Sequence, residues 1–195
     1  NKILVIKKIL EFAKKPLVIL GGSNWTKKSK KNIQTFAIKN NLPVVTSFRR
    51  QDLIDNRCKN FVGTLGTSVS PELLISIKEA DVIFAIGARL SDMSTNNYNI
   101  FNSIGKKTKL IHIYPDNTEI NRVFSSQLSI EININQFASQ ILEFSWFNER
   151  KWINWLNSLR KDYINDIYLC GENSHDNFAV ICKKINYLIK DKTVI

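Results

Sequence analysis

Apolar positions along this chain alternate between two patterns: stripes at helical period, and short unbroken runs rich in β-branched residues. Ile3, Leu4, Ile6, Ile9, Leu10 and Ala13 form the first stripe, and Pro16 stops that helix. Leu17-Val18-Ile19-Leu20 reads as a strand buried on both faces, ending in Gly21-Gly22-Ser23. A helix over about 29–40 is predicted to bury Ile33, Phe36, Ala37 and Ile38, followed by a strand over 43–48. Residues 49–57 are charged and irregular, and 61–68 read as a Gly-punctuated loop. That loop opens a helix at Pro71, with Ser70 as its N-cap. Ala80-Asp81-Val82-Ile83-Phe84-Ala85-Ile86-Gly87-Ala88-Arg89-Leu90 follows, and the rest of the chain is organised around it. Beyond a polar loop over 91–98, strands are predicted at 109–114 and 128–133, with helices at 118–124 and 136–142. This rhythm implies a doubly wound, mainly parallel Rossmann-like sheet of about six strands, with helices on both faces.

From residue 146 the character changes. Trp146, Phe147, Trp152, Trp155, Leu156 and Leu159 sit among Asn, Lys and Arg on a helix predicted over 148–163. Their density points to packing against another domain. Residues 170–174 read as a linker and 176–190 as an amphipathic helix, which together make a C-terminal helical extension. The chain starts at Asn1 without a methionine, and residues 192–195 read as a strand just begun. A terminal strand needs a sheet to pair with. The expectation is therefore an excised piece of a longer protein.

Composition narrows the function classes. Apolar content of 44% and charged content of 23% suit a soluble globular protein, and no apolar run approaches the roughly 20 residues of a membrane span. Lysines interrupt the N-terminal apolar residues, so no signal peptide is indicated. Cys58, Cys170 and Cys182 are odd in number and far apart, which argues against disulfides or a zinc site and fits the cytoplasm. The net charge of +11 invites a nucleic-acid reading. However, the lysines are spread along the chain, and the cluster Lys27-Lys28-Ser29-Lys30-Lys31 has no interleaved aromatic for base stacking. Neither nucleic acid nor membrane is expected as a partner.

Candidate chemistry gathers at the strand ends. Gly87 lets a phosphate or ring approach the backbone, and Arg89 suits a bidentate pair with an anion. The plainer alternative is a tight turn with a surface arginine. Gly21-Gly22-Ser23 precedes a helix N-terminus, where amides attract anions, but it is not the GxGxxG dinucleotide fingerprint. His112 lies inside a strand and reads as a core histidine rather than a catalyst, and His175 as a solvated linker residue.

Five blocks in this order resemble the central domain of thiamine-diphosphate-dependent enzymes, most closely the acetolactate synthase-like group. They are residues 15–22, 42–47, 61–66, 80–90 and Ile111-His112-Ile113. The resemblance covers about 10–145, which sets the expected domain limits at 1–145. Residues 146–195 resemble the connector and opening helix of the next, pyrophosphate-binding domain. By this resemblance the parent enzyme is a carboligase or decarboxylase of 2-oxo acids, a homodimer or tetramer using thiamine diphosphate and Mg2+. Those groups belong to its other domains, so no catalytic or metal-binding residue is assigned here, and this piece alone is expected to be inactive.

In the resembled family the middle domain holds FAD, or ADP, or nothing. Carried over by position, the cofactor contacts are Gly21, Gly22 and Ser23, then Gly63, Thr64, Leu65 and Gly66, then Gly87, Ala88 and Arg89. Two departures weigh against a nucleotide. Tyr114 stands where the family has its first acid at the ribose end, and Ile132-Asn133 replaces a Gly-Asp pair, with a buried Ile132 expected to crowd an adenine. A nucleotide-free structural domain is the competing reading, and a stand-alone module for FAD, ADP or NAD is the alternative function.

Overall fold

The computed structural model describes residues 2–67, 69–101, 104, 106–143, 151–172 and 177–188. In chain order these form α1 (Lys2–Glu11), β1 (Pro16–Leu20), α2 (Lys27–Lys39), β2 (Val44–Thr46) and β3 (Phe61–Thr64). Next come α3 (Pro71–Glu79), β4 (Val82–Ile86), α4 (Asp92–Thr95), β5 (Lys109–Tyr114) and β6 (Leu128–Glu131). Helices α5 (Ile134–Gln140), α6 (Ile153–Glu172) and α7 (Asn177–Leu188) complete the described chain. The sheet order is β3-β2-β1-β4-β5-β6, and every neighbouring pair is parallel. The order reverses between β1 and β4, which pair residue for residue from Pro16–Val82 to Leu20–Ile86.

Both central strands are buried at every position, because alternate side chains feed two separate cores. Val18, Leu20, Val82, Phe84 and Ile86 join Ile6, Leu10, Ile33, Phe36 and Phe137 on the face covered by α1, α2 and α5. Leu17, Ile19, Ile83 and Ala85 join Leu73, Ile77, Leu156 and Leu159 on the opposite face, under α3 and α6. The Phe84 ring meets Phe36 and Phe137 edge-on, at centroid distances of 6.5 and 6.2 Å. At the amino end of the sheet, the Asp81 carboxylate accepts from the amides of Lys14 and Lys15 at 2.6 and 2.9 Å. It ties the entrance of β1 to that of β4.

Several sequence expectations need correction. Residues 61–64 are the edge strand β3 rather than loop: Phe61 and Val62 face opposite cores, and the period-2 burial outweighs the glycine. No helix forms over 118–124. Asn121 takes a left-handed φ of +60°, which interrupts a helix, and its Oδ1 accepts from the Ser126 amide and hydroxyl. The supposed loop at 91–98 contains α4, and Ile38 is 45% exposed rather than buried. Ser70 and Pro71 do begin α3, with the Ser70 hydroxyl accepting from the Leu73 amide.

The C-terminal segment differs most. Helix α6 starts at Ile153, after Trp152 at a φ of +60°, and runs through residues 170–172, which the sequence assigned to a linker. The aromatic stripe that leads into it packs on this same sheet. The indole N–H groups of Trp152 and Trp155 donate to the carbonyls of Ala13 and Pro16, both at 2.9 Å. The Arg160 guanidinium reaches the carbonyls of Asn56, Arg57 and Phe61, closing α6 over β3. Trp146, Phe147, His175 and the supposed strand at 192–195 lie outside the described residues.

Trp152 fills a buried site and satisfies a carbonyl, so Trp152→Ala is expected to lower the unfolding free energy by about 3–5 kcal/mol in urea denaturation. Phe12→Ala removes a side chain that is 79% exposed and should stay within about 0.5 kcal/mol of the parent.

Candidate functional site

In an open parallel sheet, ligands enter at the carboxyl ends of the strands where the order reverses. Here that point lies between the turn after β1, Gly21-Gly22-Ser23, and the turn after β4, Gly87-Ala88-Arg89. The two turns press against each other. A methyl group built on Gly22, whose φ is +73°, would lie 2.2 Å from the Gly87 carbonyl oxygen. One built on Gly21 would meet Ser47 Oγ at 2.6 Å and the Ala88 Cα at 2.8 Å. These glycines are required by the approach of one backbone to another.

The outer side of the Gly87 turn is covered by side chains. A methyl group on Gly87 would lie 3.4 Å from Ile134 Cγ1 and 3.4 Å from Trp25 Cζ2. The Trp25 indole N–H donates to the Gly21 carbonyl at 2.8 Å, so the ring is held across the turn. The N-terminus of α2, where a phosphate would be expected, is capped from within. Thr26 Oγ1 accepts from the Ser29 amide, and Asn135 Oδ1 accepts from the Thr26 amide at 3.0 Å and from the Ser29 hydroxyl at 2.6 Å. The Arg50 guanidinium donates to the Gly22 carbonyl and pairs with Asp52.

The other candidate residues are distributed as follows. Gly63 is inside β3 against the Leu73 side chain, Thr64 bonds the Thr46 hydroxyl at 3.1 Å, and Leu65 is fully buried. Gly66 leaves room for the Phe48 ring, and Ser23 is exposed. Arg89 pairs with Glu119 at 2.6 Å, and Glu119 also pairs with Arg122 at 2.8 Å. The hydrogen bond from Arg89 holds the Glu119 carboxyl below its ordinary value. Ile132 is only partly buried, and it is Ile134 that reaches the Gly87 turn. Asn133 caps α5 by accepting from the amides of Asn135 and Gln136.

Open space does exist at this edge, displaced by one strand to β5. A pocket of about 190 Å³ is bounded by Arg89, Asp92, Tyr98, His112, Glu119 and Arg122. Its lining carries two arginines, both paired with Glu119, and a second carboxylate in Asp92, so the charges sum to zero and an anion meets no net attraction. It is also smaller than the roughly 300 Å³ at which ligand pockets begin. His112 is a core histidine: it is buried, and its Nε2–H donates to the Ala88 carbonyl at 2.9 Å. Burial pushes its pKa below 6.5. Among the described residues no cluster of His, Cys, Asp and Glu could hold a metal ion.

Sequence reasoning missed Trp25, Asn135 and Glu119. A bulky aromatic three residues after Gly22 was a visible sign that the turn is filled. Asn135 and Glu119 act across the fold and carried no local signal.

Residues 4–141 match the family model described as "Thiamine pyrophosphate enzyme, central domain". The chain belongs to this family. It is 33% identical to the acetolactate synthase large subunit of Haemophilus influenzae over 136 residues, which is 70% of this chain and 22% of that protein. It is 30% identical to the acetolactate synthase isozyme 3 large subunit of Escherichia coli over 131 residues, 67% of this chain and 22% of that one. The large subunit from Buchnera aphidicola of Schizaphis graminum is 29% identical over 136 residues, 70% of this chain and 23% of the relative. The central domain thus spans less than a quarter of the length of these relatives.

Two predictions follow from the geometry. Gly22→Ala combines a left-handed φ with a backbone clash and should destabilise the central domain by about 3 kcal/mol or more, read as a lower denaturation midpoint. His112 binds a proton less readily folded than unfolded, so its contribution is complete above about pH 6.5 and is lost as pH falls towards its lowered folded pKa. Melting temperature should therefore drop on acidification below pH 6.5, and His112→Gln should flatten that part of the profile.

Proposed function

We propose that this chain is the middle, scaffolding domain of an acetolactate synthase-like, thiamine-diphosphate-dependent enzyme acting on 2-oxo acids. The observation that carries the reading is the family match over 4–141, on a domain whose strand ends are occupied by structural contacts. In this reading thiamine diphosphate and Mg2+ are held by other domains of the same enzyme, which are the partners of this one. Its own residues keep the sheet rigid. Phe84 between Phe36 and Phe137, and Asp81 across the strand entrances, hold β1 and β4 in register. A stand-alone nucleotide module is the less favoured alternative, because Arg89 is engaged by Glu119 and the Thr26 amide and Ser29 hydroxyl at the start of α2 by Asn135.

Acetolactate formation from pyruvate, with added thiamine diphosphate and Mg2+, tests the proposal. The 195-residue chain is expected to show no turnover above the protein-free blank, and turnover by this chain alone would overturn it.

A further inference from the structure

In the resembled family the middle domain holds FAD, or ADP, or nothing, and the residues of this chain at the crevice between β1 and β4 do not fit a nucleotide. We propose that the crevice is closed by the chain's own side chains and that this domain takes no dinucleotide. Three contacts, each replacing something a nucleotide would need, support the closure.

The first replacement is at the backbone. A pyrophosphate needs an uncovered glycine turn to lie against. Here the inner side of Gly87 is taken by Gly21 and Gly22, and its outer side by Trp25 and Ile134. The second is at the helix terminus. The Thr26 amide and Ser29 hydroxyl, donors at the start of α2, both donate to Asn135 Oδ1, while Asn135 Nδ2 donates to the Asn24 carbonyl at 2.9 Å. A neutral carboxamide from α5 thereby caps this turn. The third is at the cation. One Arg89 nitrogen donates to Glu119, which also pairs with Arg122, so a carboxylate already stands beside the cation an anion would seek.

Trp25 is the element that decides the matter. It is partly buried and packs on the same core cluster as Phe84, and its N–H is committed to the Gly21 carbonyl. Admitting a nucleotide would break that bond and move the ring into water. The inference rests on the family reading for its expectation of a nucleotide, but not for the contacts.

The test uses the whole chain with FAD and ADP as probes. A ligand present at about a hundred times its dissociation constant should raise the melting temperature of a protein this size by roughly 5–10 °C. The expected result with about 100 µM of either nucleotide is a change below about 1 °C, together with colourless protein after incubation with FAD and desalting. In 15N spectra, the indole N–H resonance of Trp25, assigned through Trp25→Phe, should exchange slowly and stay in place on addition of FAD. A melting shift of several degrees, retained yellow flavin absorbance, or movement of that resonance would overturn the closure. Pyruvate turnover is read separately: flavin binding without turnover would remove this inference and leave the scaffold role, and turnover without flavin would do the reverse.

Discussion

The close approach of two turns at the centre of the sheet governs the rest of this structure. β1 and β4 run parallel in register, and beyond their last residues the chains come so near that no side chain fits between Gly22 and the Gly87 carbonyl. Such an approach is tolerable only because the strands behind it are held from both faces and at their amino ends by Asp81. The hydrophobic layers set the strand spacing and the glycines accept it. The loop between the first turn and α2 then lays Trp25 over the second.

From that constraint the use of the carboxyl edge follows. In folds of this kind the crevice at the reversal is the natural place for a ligand, because two helices diverge there and leave amides uncovered. In this central domain the divergence is bridged by α5, whose Asn135 and Ile134 reach across to the start of α2 and to the Gly87 turn. The remaining space shifts towards β5, where opposing charges cancel within a small volume. A domain arranged in this way suits transmitting position better than capturing a molecule.

Much of the fold was legible in the sequence because β-branched runs and helical stripes are local signals. The stretch 80–90 announced a strand buried on both faces, and Ser70-Pro71 announced a helix start. Misreadings occurred where a local rule met a tertiary one. Gly63 made 61–68 resemble a loop, although the alternating burial of Phe61 and Val62 makes β3 the sheet's edge. The candidate site was legible only in part. Gly21, Gly22, Gly87 and Ala88 do meet, but what covers them comes from residue 25 and from more than forty positions downstream, beyond the reach of any spacing argument.

The indoles at the entrance to α6 have one further consequence, for where the polypeptide can be shortened. Trp152 and Trp155 are separated from their carbonyl acceptors, Ala13 and Pro16, by 139 positions in each case. A cut near residue 145 would leave those two oxygens without their donors and uncover the apolar surface beneath Leu156 and Leu159. The smallest autonomous version of this sheet therefore extends at least through Tyr163, whose ring stacks edge-on against Phe61.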